Sequence, residues 1–159
     1  MGAVYEQYFQ NINDVKKQKG ILNVEKLLFV ETNNGTEQQL RPVTPDDPLR
    51  VGDKVVIRLV VRTDREMDYV FLKDLRAGCF EPADQLSGSV YRDGVWYYQS
   101  PTDVSENFFF ERLPQGTFVL EYAVYVSRTG EYAGGISTIQ CLYAPEFVSH
   151  TEGNIVKVD

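Results

Sequence analysis

The sequence is poor in the residue types that carry most enzyme chemistry. Its 159 residues include one histidine, His150, and two cysteines, Cys79 and Cys141. Nucleophilic catalysis by serine or cysteine usually needs a neighbouring base, so one histidine permits at most one such site. His150 lies in a polar stretch, which favours an ordinary surface histidine, and we expect no enzymatic activity. The cysteines could form one disulfide, and their spacing leaves that question open.

Metal ligands are scarce as well. Zinc sites use three or four histidine, cysteine or carboxylate ligands at short spacings, and calcium loops alternate Asp or Asn before a terminal Glu. The sequence has neither pattern, and turn formation explains Asp46, Asp47 and Asp53 better, because Pro48 and Gly52 lie beside them. We therefore expect no metal ion and no cofactor.

The sequence also lacks an excess of positive charge and any long apolar run. A formal net charge of −7 and a pI of about 4.8 oppose binding to nucleic acids and to anionic membranes. No apolar run approaches the roughly 20 residues of a membrane helix, and the amino terminus has no signal-peptide pattern. We predict no nucleic-acid partner and no direct membrane insertion. Met1 and Gly2 ahead of Ala3 suggest a fragment whose export signal would lie upstream.

Strand-forming residues are abundant. Aromatic residues make up 13% of the chain, and most lie in short runs rich in Val, Tyr and Phe. Residues 33–36 (NNGT) and 92–94 (RDG) are typical of hairpin turns, because Asn-Gly and Asp-Gly tolerate positive φ. After residue 20 no ten-residue segment has helical periodicity. The patterns predict nine strands, at residues 22–32, 38–43, 53–62, 67–75, 89–91, 95–98, 108–110, 117–126 and 136–143.

This arrangement predicts an all-β fold, a two-layer antiparallel β-sandwich formed by residues 21–159. In the strand at 53–62 apolar and polar residues alternate, apart from Val56 and Val60. Residues 1–20 are assigned to an arm or linker from a preceding domain, since residues 13–20 (NDVKKQKG) are polar. We expect residues 3–19 either to pair at a sheet edge or to be poorly ordered.

The aromatic residues exceed what one core needs, and two clusters, at 96–98 (WYY) and 108–110 (FFF), stand out. Successive side chains in a strand point to opposite faces, so Phe109 points away from its neighbours. One aromatic face is then covered by a second layer or offered to another domain. The residues predicted as a possible interdomain contact are Tyr97, Tyr98, Phe108 and Phe110. In the alternative interpretation, the cluster around Trp96 stacks on sugar rings.

Four motifs occur in the order found in one known family. They are residues 49–55 (LRVGDKV), 69–82 (YVFLKDLRAGCFEP), 109–122 (FFERLPQGTFVLEY) and 140–147 (QCLYAPEF). Together they resemble the last macroglobulin-like domain of bacterial alpha-2-macroglobulins, which has an immunoglobulin- or fibronectin-like architecture. Residues 3–9 (AVYEQYF) are similar to the segment that leaves the preceding helical domain. Residues 138–141 (TIQC) and 149–153 (SHTEG) resemble envelope proteins of Bacteroides-type bacteria. The family usually has proline where Arg76 stands and no cysteine at position 79.

The resemblance implies a piece of an endopeptidase inhibitor that is cleaved by a proteinase, changes shape and traps it. The family's thioester motif, Cys-x-Glu-Gln, lies upstream in members that have it, and this sequence contains no such motif and no bait segment. The implied role is that of a structural, interdomain-binding module in the periplasm or cell envelope. Its partners would be neighbouring domains, especially an upstream helical domain, and a target proteinase through the full-length protein. The alternative is a carbohydrate-binding or adhesive sandwich module of a cell-envelope protein.

Overall fold

The computed structural model describes residues 21–34, 37–44, 46–84 and 87–159. Within these ranges no helix has the length and apolar content needed to cross a membrane. The described residues form thirteen strands: β1 (Leu22–Asn34), β2 (Glu37–Pro42), β3 (Lys54–Thr63), β4 (Met67–Leu75), β5 (Phe80–Pro82), β6 (Gly88–Arg92), β7 (Val95–Pro101), β8 (Ser105–Leu113), β9 (Gly116–Val126), β10 (Gly130–Gly134), β11 (Ser137–Cys141), β12 (Val148–His150) and β13 (Asn154–Val158).

One layer is a five-stranded antiparallel sheet with the strand order β2-β1-β3-β9-β5. Alternate residues of β3 enter the core, with Val55, Ile57 and Leu59 fully buried. Val56 and Val60, the exceptions to the alternation, lie on the outer face and are still only 7% and 8% exposed. Long side chains on the same face shield such residues, because their aliphatic stems lie along the sheet.

The other layer is a six-stranded antiparallel sheet with the strand order β12-β11-β4-β8-β7-β6. Its inner face contributes a cluster of aromatic rings to the core. The ring of Tyr97 lies 5.5 Å from that of Phe110 and 6.0 Å from that of Phe118, which comes from β9 in the opposite sheet. Phe110 and Phe118 meet edge to face at 5.9 Å. Such pairs stabilise a core by about 0.5–1.5 kcal/mol each beyond the burial of their area.

The two layers confirm the predicted antiparallel β-sandwich, and each of the nine predicted strands is present. Asn34 pairs with Glu37, so β1 and β2 meet at the predicted turn, although Gly35 and Thr36 lie outside the described residues. Between β6 and β7, Asp93 and Gly94 have φ values of 52° and 84°. Positive φ at both positions is what a type I′ hairpin turn requires.

Four short strands escaped the sequence patterns: β5, β10, β12 and β13. β5 and β12 have three residues each, too few to show an alternation. β10 pairs with β13 as a separate two-stranded ribbon. The β13 residue Val158 is buried and forms a parallel bridge with Leu49, which ties the end of the chain to the core.

The sequence left open whether Cys79 and Cys141 form a disulfide, and it assigned residues 1–20 to a linker. Cys79 and Cys141 are both buried and free, so the structure contains no bridge between them. Burial raises the pKa of the Cys79 thiol, which makes its reactive thiolate form less accessible. Residues 1–20 lie outside the described residues, so the linker assignment and the edge-pairing expectation for residues 3–19 stay predictions.

Candidate interaction surface

The structure corrects three of the four residues predicted as an interdomain contact. Phe108 and Phe110 are fully buried and Tyr97 is 5% exposed, so none of the three is available to another domain. The prediction is wrong for them because they occupy the inward-facing positions of β7 and β8. Tyr98 faces outward and is 47% exposed, and its role in a contact stays a prediction.

An aromatic row crosses the outer face of the six-stranded sheet. Strand pairing places Tyr98 opposite Phe109, Phe109 opposite Phe71 and Phe71 opposite Gln140. The row continues to Ser89 on β6 and to Val148 on β12, and its members are therefore neighbours on one face. The expectation that Phe109 points away from its neighbours is confirmed, and no member of this row is charged.

One end of this face is the β6–β7 hairpin. Tyr91 pairs with Trp96 across the hairpin, and their ring centroids are 4.9 Å apart. These two side chains are 58% and 64% exposed. The hairpin thus presents two large rings to solvent, held in place by each other rather than by the core.

The other end of the face is formed by Tyr69 and Tyr143. Their ring centroids lie 4.6 Å apart in an edge-on arrangement, and Tyr143 is 74% exposed. The interaction with Tyr143 raises the pKa of Tyr69, with smaller contributions from burial, Glu111 and Asp68. Tyr69 also lies 6.1 Å from Phe109, so this end joins the aromatic row. We call the whole surface, from Tyr91 to Tyr143, the aromatic face.

Tyr69 has an unusual backbone. Its φ is 56°, a left-handed value that a bulky residue adopts at a cost of about 1–3 kcal/mol. The alternation of β4 changes phase here: Met67 and Val70 are both buried, and Asp68 and Tyr69 both lie between them on the outside. The Leu142 N–H donates to the Tyr69 carbonyl oxygen at 2.8 Å and holds this conformation.

The outer face of the five-stranded sheet is different, because it is covered by paired charges. Arg58 and Glu121 form an ion pair at 2.6 Å, and Lys54 lies 3.4 Å from Glu31. Arg62 and Glu25 form a third pair at 3.2 Å. Each pair joins two neighbouring strands, so these charges satisfy one another within the sheet.

Further charges are buried between the layers, centred on Asp74, which is fully buried. Asp74 accepts hydrogen bonds from Ser137 at 2.7 Å and from the hydroxyl of Tyr122, and Lys26 forms an ion pair with it at 2.7 Å. Burial, followed by the charge of Asp74, raises the pKa of Tyr122 well above its ordinary value. Lys26 and Tyr122 belong to one sheet and Asp74 and Ser137 to the other, so this cluster clamps the two layers together.

A second buried ion pair joins Arg76 to Glu106 at 3.0 Å, with side chains 1% and 2% exposed. Gln99 donates to the other oxygen of Glu106 at 2.6 Å. Burial raises the pKa of Glu106, while Gln99 and Arg76 lower it. Glu106 also borders an open groove of about 640 Å³ that includes Glu121, but both carboxylates are already bonded within the protein.

Perturbed acids in a cleft are candidates for catalysis, but these groups form closed structural pairs. His150, the one histidine, is exposed on β12, where its Nδ1 lies 3.2 Å from the Thr151 carbonyl oxygen. Among the described residues no group of three potential metal ligands occurs. Of the five exposed aromatic side chains among the described residues, four belong to the aromatic face: Tyr91, Trp96, Tyr98 and Tyr143.

Sequence reasoning missed most of that face. Tyr69, Phe71, Tyr91 and Tyr143 were not singled out, and the four chosen residues came from the most conspicuous clusters. The usable signal was the alternation itself: once Phe108 and Phe110 point inward, Phe109 and its cross-strand neighbours point outward.

The comparisons with known proteins agree on the fold. Residues 22–146 match the family model described as the bacterial alpha-2-macroglobulin MG10 domain. Escherichia coli alpha-2-macroglobulin activated by porcine elastase is similar in structure, with a TM-score of 0.68 and 19% identity over 87% of this chain and 13% of that one. Salmonella alpha-2-macroglobulin reacted with methylamine gives a TM-score of 0.64 and 18% identity over 87% of this chain and 9% of that one.

Two further matches show how small a part of its relatives this chain spans. Native E. coli alpha-2-macroglobulin from domain MG7 to the C-terminus gives a TM-score of 0.64 and 15% identity over 87% of this chain and 23% of that one. A curated protein, "Circularly permutated Ras protein 2" of Dictyostelium discoideum, is 28% identical over 101 residues, which are 64% of this chain and 2% of that protein. The chain thus spans less than a quarter of the length of each relative named here.

Proposed function

Since the chain belongs to the family of bacterial alpha-2-macroglobulin MG10 domains, we propose that it is a structural, interdomain-binding module of a proteinase-inhibitor-like protein. Its direct partners are neighbouring domains of the same polypeptide, especially an upstream helical domain. The full-length protein is exported to the periplasm or cell envelope of a Bacteroides-type bacterium, ends with this module and meets its target proteinase there. The module itself has no enzymatic activity.

The aromatic face is the observation that supports this proposal. Tyr91, Trp96, Tyr98 and Tyr143 are all exposed on this one face. Exposed aromatic residues on an ordinary protein surface are scattered singly, whereas a concentration of them on one face is typical of an interaction site. Covering the exposed half of one such side chain, on the order of 100 Å², favours association by about 2.5 kcal/mol. A neighbouring domain on the same chain gains more, because the tether raises its effective concentration.

The test uses the full-length protein with Trp96→Ser and Tyr98→Ser together. These side chains face outward, so the module stays folded while its docking loosens. We expect faster limited proteolysis at the junction near Lys16 and Lys17. Arg58→Ser, on the other outer face, is the matched control and leaves the cleavage rate unchanged. An unchanged rate in the Trp96/Tyr98 variant would remove the aromatic face from the interdomain contact.

A second candidate is binding of carbohydrate at the β6–β7 hairpin. The exposed, adjacent rings of Tyr91 and Trp96 favour it, because aromatic faces stack on sugar rings. A glycan array distinguishes the two functions. Dose-dependent binding that is lost in Trp96→Ala supports the sugar site, whereas a blank array leaves the interdomain role as the explanation of the face.

A further inference from the structure

The described part of the chain begins beside the Tyr69 end of the aromatic face. The Asp64 N–H donates to the carbonyl oxygen of Ile21 at 2.9 Å. The next residue, Arg65, places its guanidinium 5.5 Å from the centre of the Phe147 ring. Phe147 closes the loop that carries Tyr143, because its N–H bonds to the Ala144 carbonyl oxygen at 2.9 Å. Whatever precedes residue 21 therefore emerges next to this end.

This end of the face is acidic. The phase change at Tyr69 turns Asp68 outward, and Glu111 is exposed on the neighbouring strand β8. Two other acids nearby are neutralised, since Asp64 is paired with Arg65 and Glu66 with Arg112. Within the described ranges neither Asp68 nor Glu111 forms an ion pair. Two negative charges thus lie uncompensated beside two tyrosine rings.

The residues that precede position 21 have the complementary chemistry. In the sequence, Lys16, Lys17 and Lys19 all fall within the five positions before Ile21. Residues 3–15 before them include seven apolar or aromatic residues: Ala3, Val4, Tyr5, Tyr8, Phe9, Ile12 and Val15. The order along the chain is therefore basic next to the sandwich and aromatic further out. The aromatic face shows the same order, acidic near Ile21 and aromatic beyond.

The length of the segment is sufficient. Ile21 lies twelve positions after Phe9, and an extended chain spans at most about 3.3–3.6 Å per position, or roughly 40 Å in all. Crossing all six strands of the sheet takes about 24 Å at a strand spacing of about 4.8 Å. Tyr8 and Phe9 can therefore reach Phe71 and Phe109 without strain.

We propose that residues 3–19 of this chain dock on the Tyr69–Tyr143 end of the aromatic face. Lys16, Lys17 and Lys19 lie opposite Asp68 and Glu111, and Tyr8 and Phe9 lie against Phe71 and Phe109. This deepens the proposed function, because the segment is then the first partner of the face and fixes where the preceding domain leaves it. The hairpin end, with Tyr91 and Trp96, stays open for a neighbouring domain.

The experiment uses the 159-residue chain with a spin label on Gln10→Cys. Both native cysteines are buried, so the label attaches selectively to the new thiol. Docking predicts broadened amide signals in the NMR spectrum for Phe71, Phe109 and their neighbours, and unaffected signals around Val119 on the other outer face. Adding Tyr8→Ser and Phe9→Ser to the labelled chain removes the broadening.

A second pair of variants isolates the charge contribution. Asp68→Asn with Glu111→Gln weakens the broadening and makes it insensitive to salt, whereas removal of the Arg58–Glu121 pair leaves it unchanged. Broadening that is absent, or equal on both outer faces, overturns the proposal. Since this measurement involves only the isolated chain, its failure leaves the junction test in the full-length protein, and thus the proposed function, standing.

Discussion

The two outer faces of the sandwich are built on the same strand alternation and carry opposite kinds of side chain. On the five-stranded sheet, three cross-strand ion pairs cover the surface, including Arg58 with Glu121. On the six-stranded sheet, a row of uncharged residues crosses all six strands and includes Phe71, Phe109 and Tyr98. The charged face therefore pairs its charges within the sheet, whereas the aromatic face leaves large rings exposed to solvent.

The difference also shows where the fold gets its stability. Exposed ion pairs such as those on the charged face contribute about 0–1 kcal/mol each, because water already solvates their members. The charged cluster around Asp74 joins the two sheets, whereas the buried pair of Arg76 and Glu106 joins the end of β4 to β8 within the six-stranded layer.

The largest expected effect comes from the buried pair, with Arg76→Met. This substitution leaves the buried carboxylate of Glu106 without its cation and lowers the free energy of unfolding by about 3–5 kcal/mol. Chemical denaturation measures it, with Arg58→Met on the charged face as the control, expected to cost less than about 1 kcal/mol. Adding Glu106→Gln to Arg76→Met recovers most of the loss. Equal losses in the free energy of unfolding for Arg76→Met and Arg58→Met would contradict the distinction between buried and exposed ion pairs.

A smaller loss is expected for Gly135→Ala, where β10 leads into β11. A Cβ at Gly135 would lie 2.0 Å from the Leu75 carbonyl oxygen, so the backbone must shift, and overpacking of this kind costs about 1–3 kcal/mol. The shift also disturbs the hydrogen bond from Lys26 to the Gly135 carbonyl oxygen. Gly153→Ala, where a Cβ meets open space, is the control for thermal unfolding. Similar melting temperatures for the two variants would contradict the close approach of Gly135 to the Leu75 carbonyl oxygen.

The buried pair also predicts a pH dependence. Burial raises the pKa of Glu106 above its usual value of 4.5. Between pH 4.5 and the raised pKa, Glu106 keeps its proton in the folded chain but has lost it in the unfolded chain. The contribution of Glu106 to the free energy of unfolding therefore falls as the pH rises. The contribution is greatest below pH 4.5 and is lost above the raised pKa. Unfolding curves should therefore show that the free energy of unfolding of the native chain decreases, relative to that of Glu106→Gln, as the pH rises. If the native chain instead became more stable relative to Glu106→Gln as the pH rises, the predicted direction of the pH dependence would be wrong.

The sandwich was predictable from sequence because β3, β4 and β9 are long enough to show alternation or a dense run of strand formers. The buried charges were not, since Asp74 and Arg76 look like ordinary surface residues until their partners are known, Lys26 on the other sheet and Glu106 on β8. The aromatic face was half predictable. An excess of aromatics was visible, but which rings point outward depends on strand register and, at Tyr69, on a phase change that no sequence pattern marks.

The smallest expected effect on stability comes from the aromatic face itself, with Tyr91→Ser and Trp96→Ser in the 159-residue chain. Both rings are more than half exposed, so their removal costs only their mutual contact, about 0.5–1.5 kcal/mol. The same change should reduce self-association at high protein concentration, because an uncovered aromatic surface promotes it. Sedimentation at increasing concentrations measures this, and Arg58→Ser with Glu121→Ser is the matched pair on the charged face. If both double variants self-associate to the same extent, the aromatic face attracts partners no more strongly than the charged one, and the contrast between the two faces has no functional consequence.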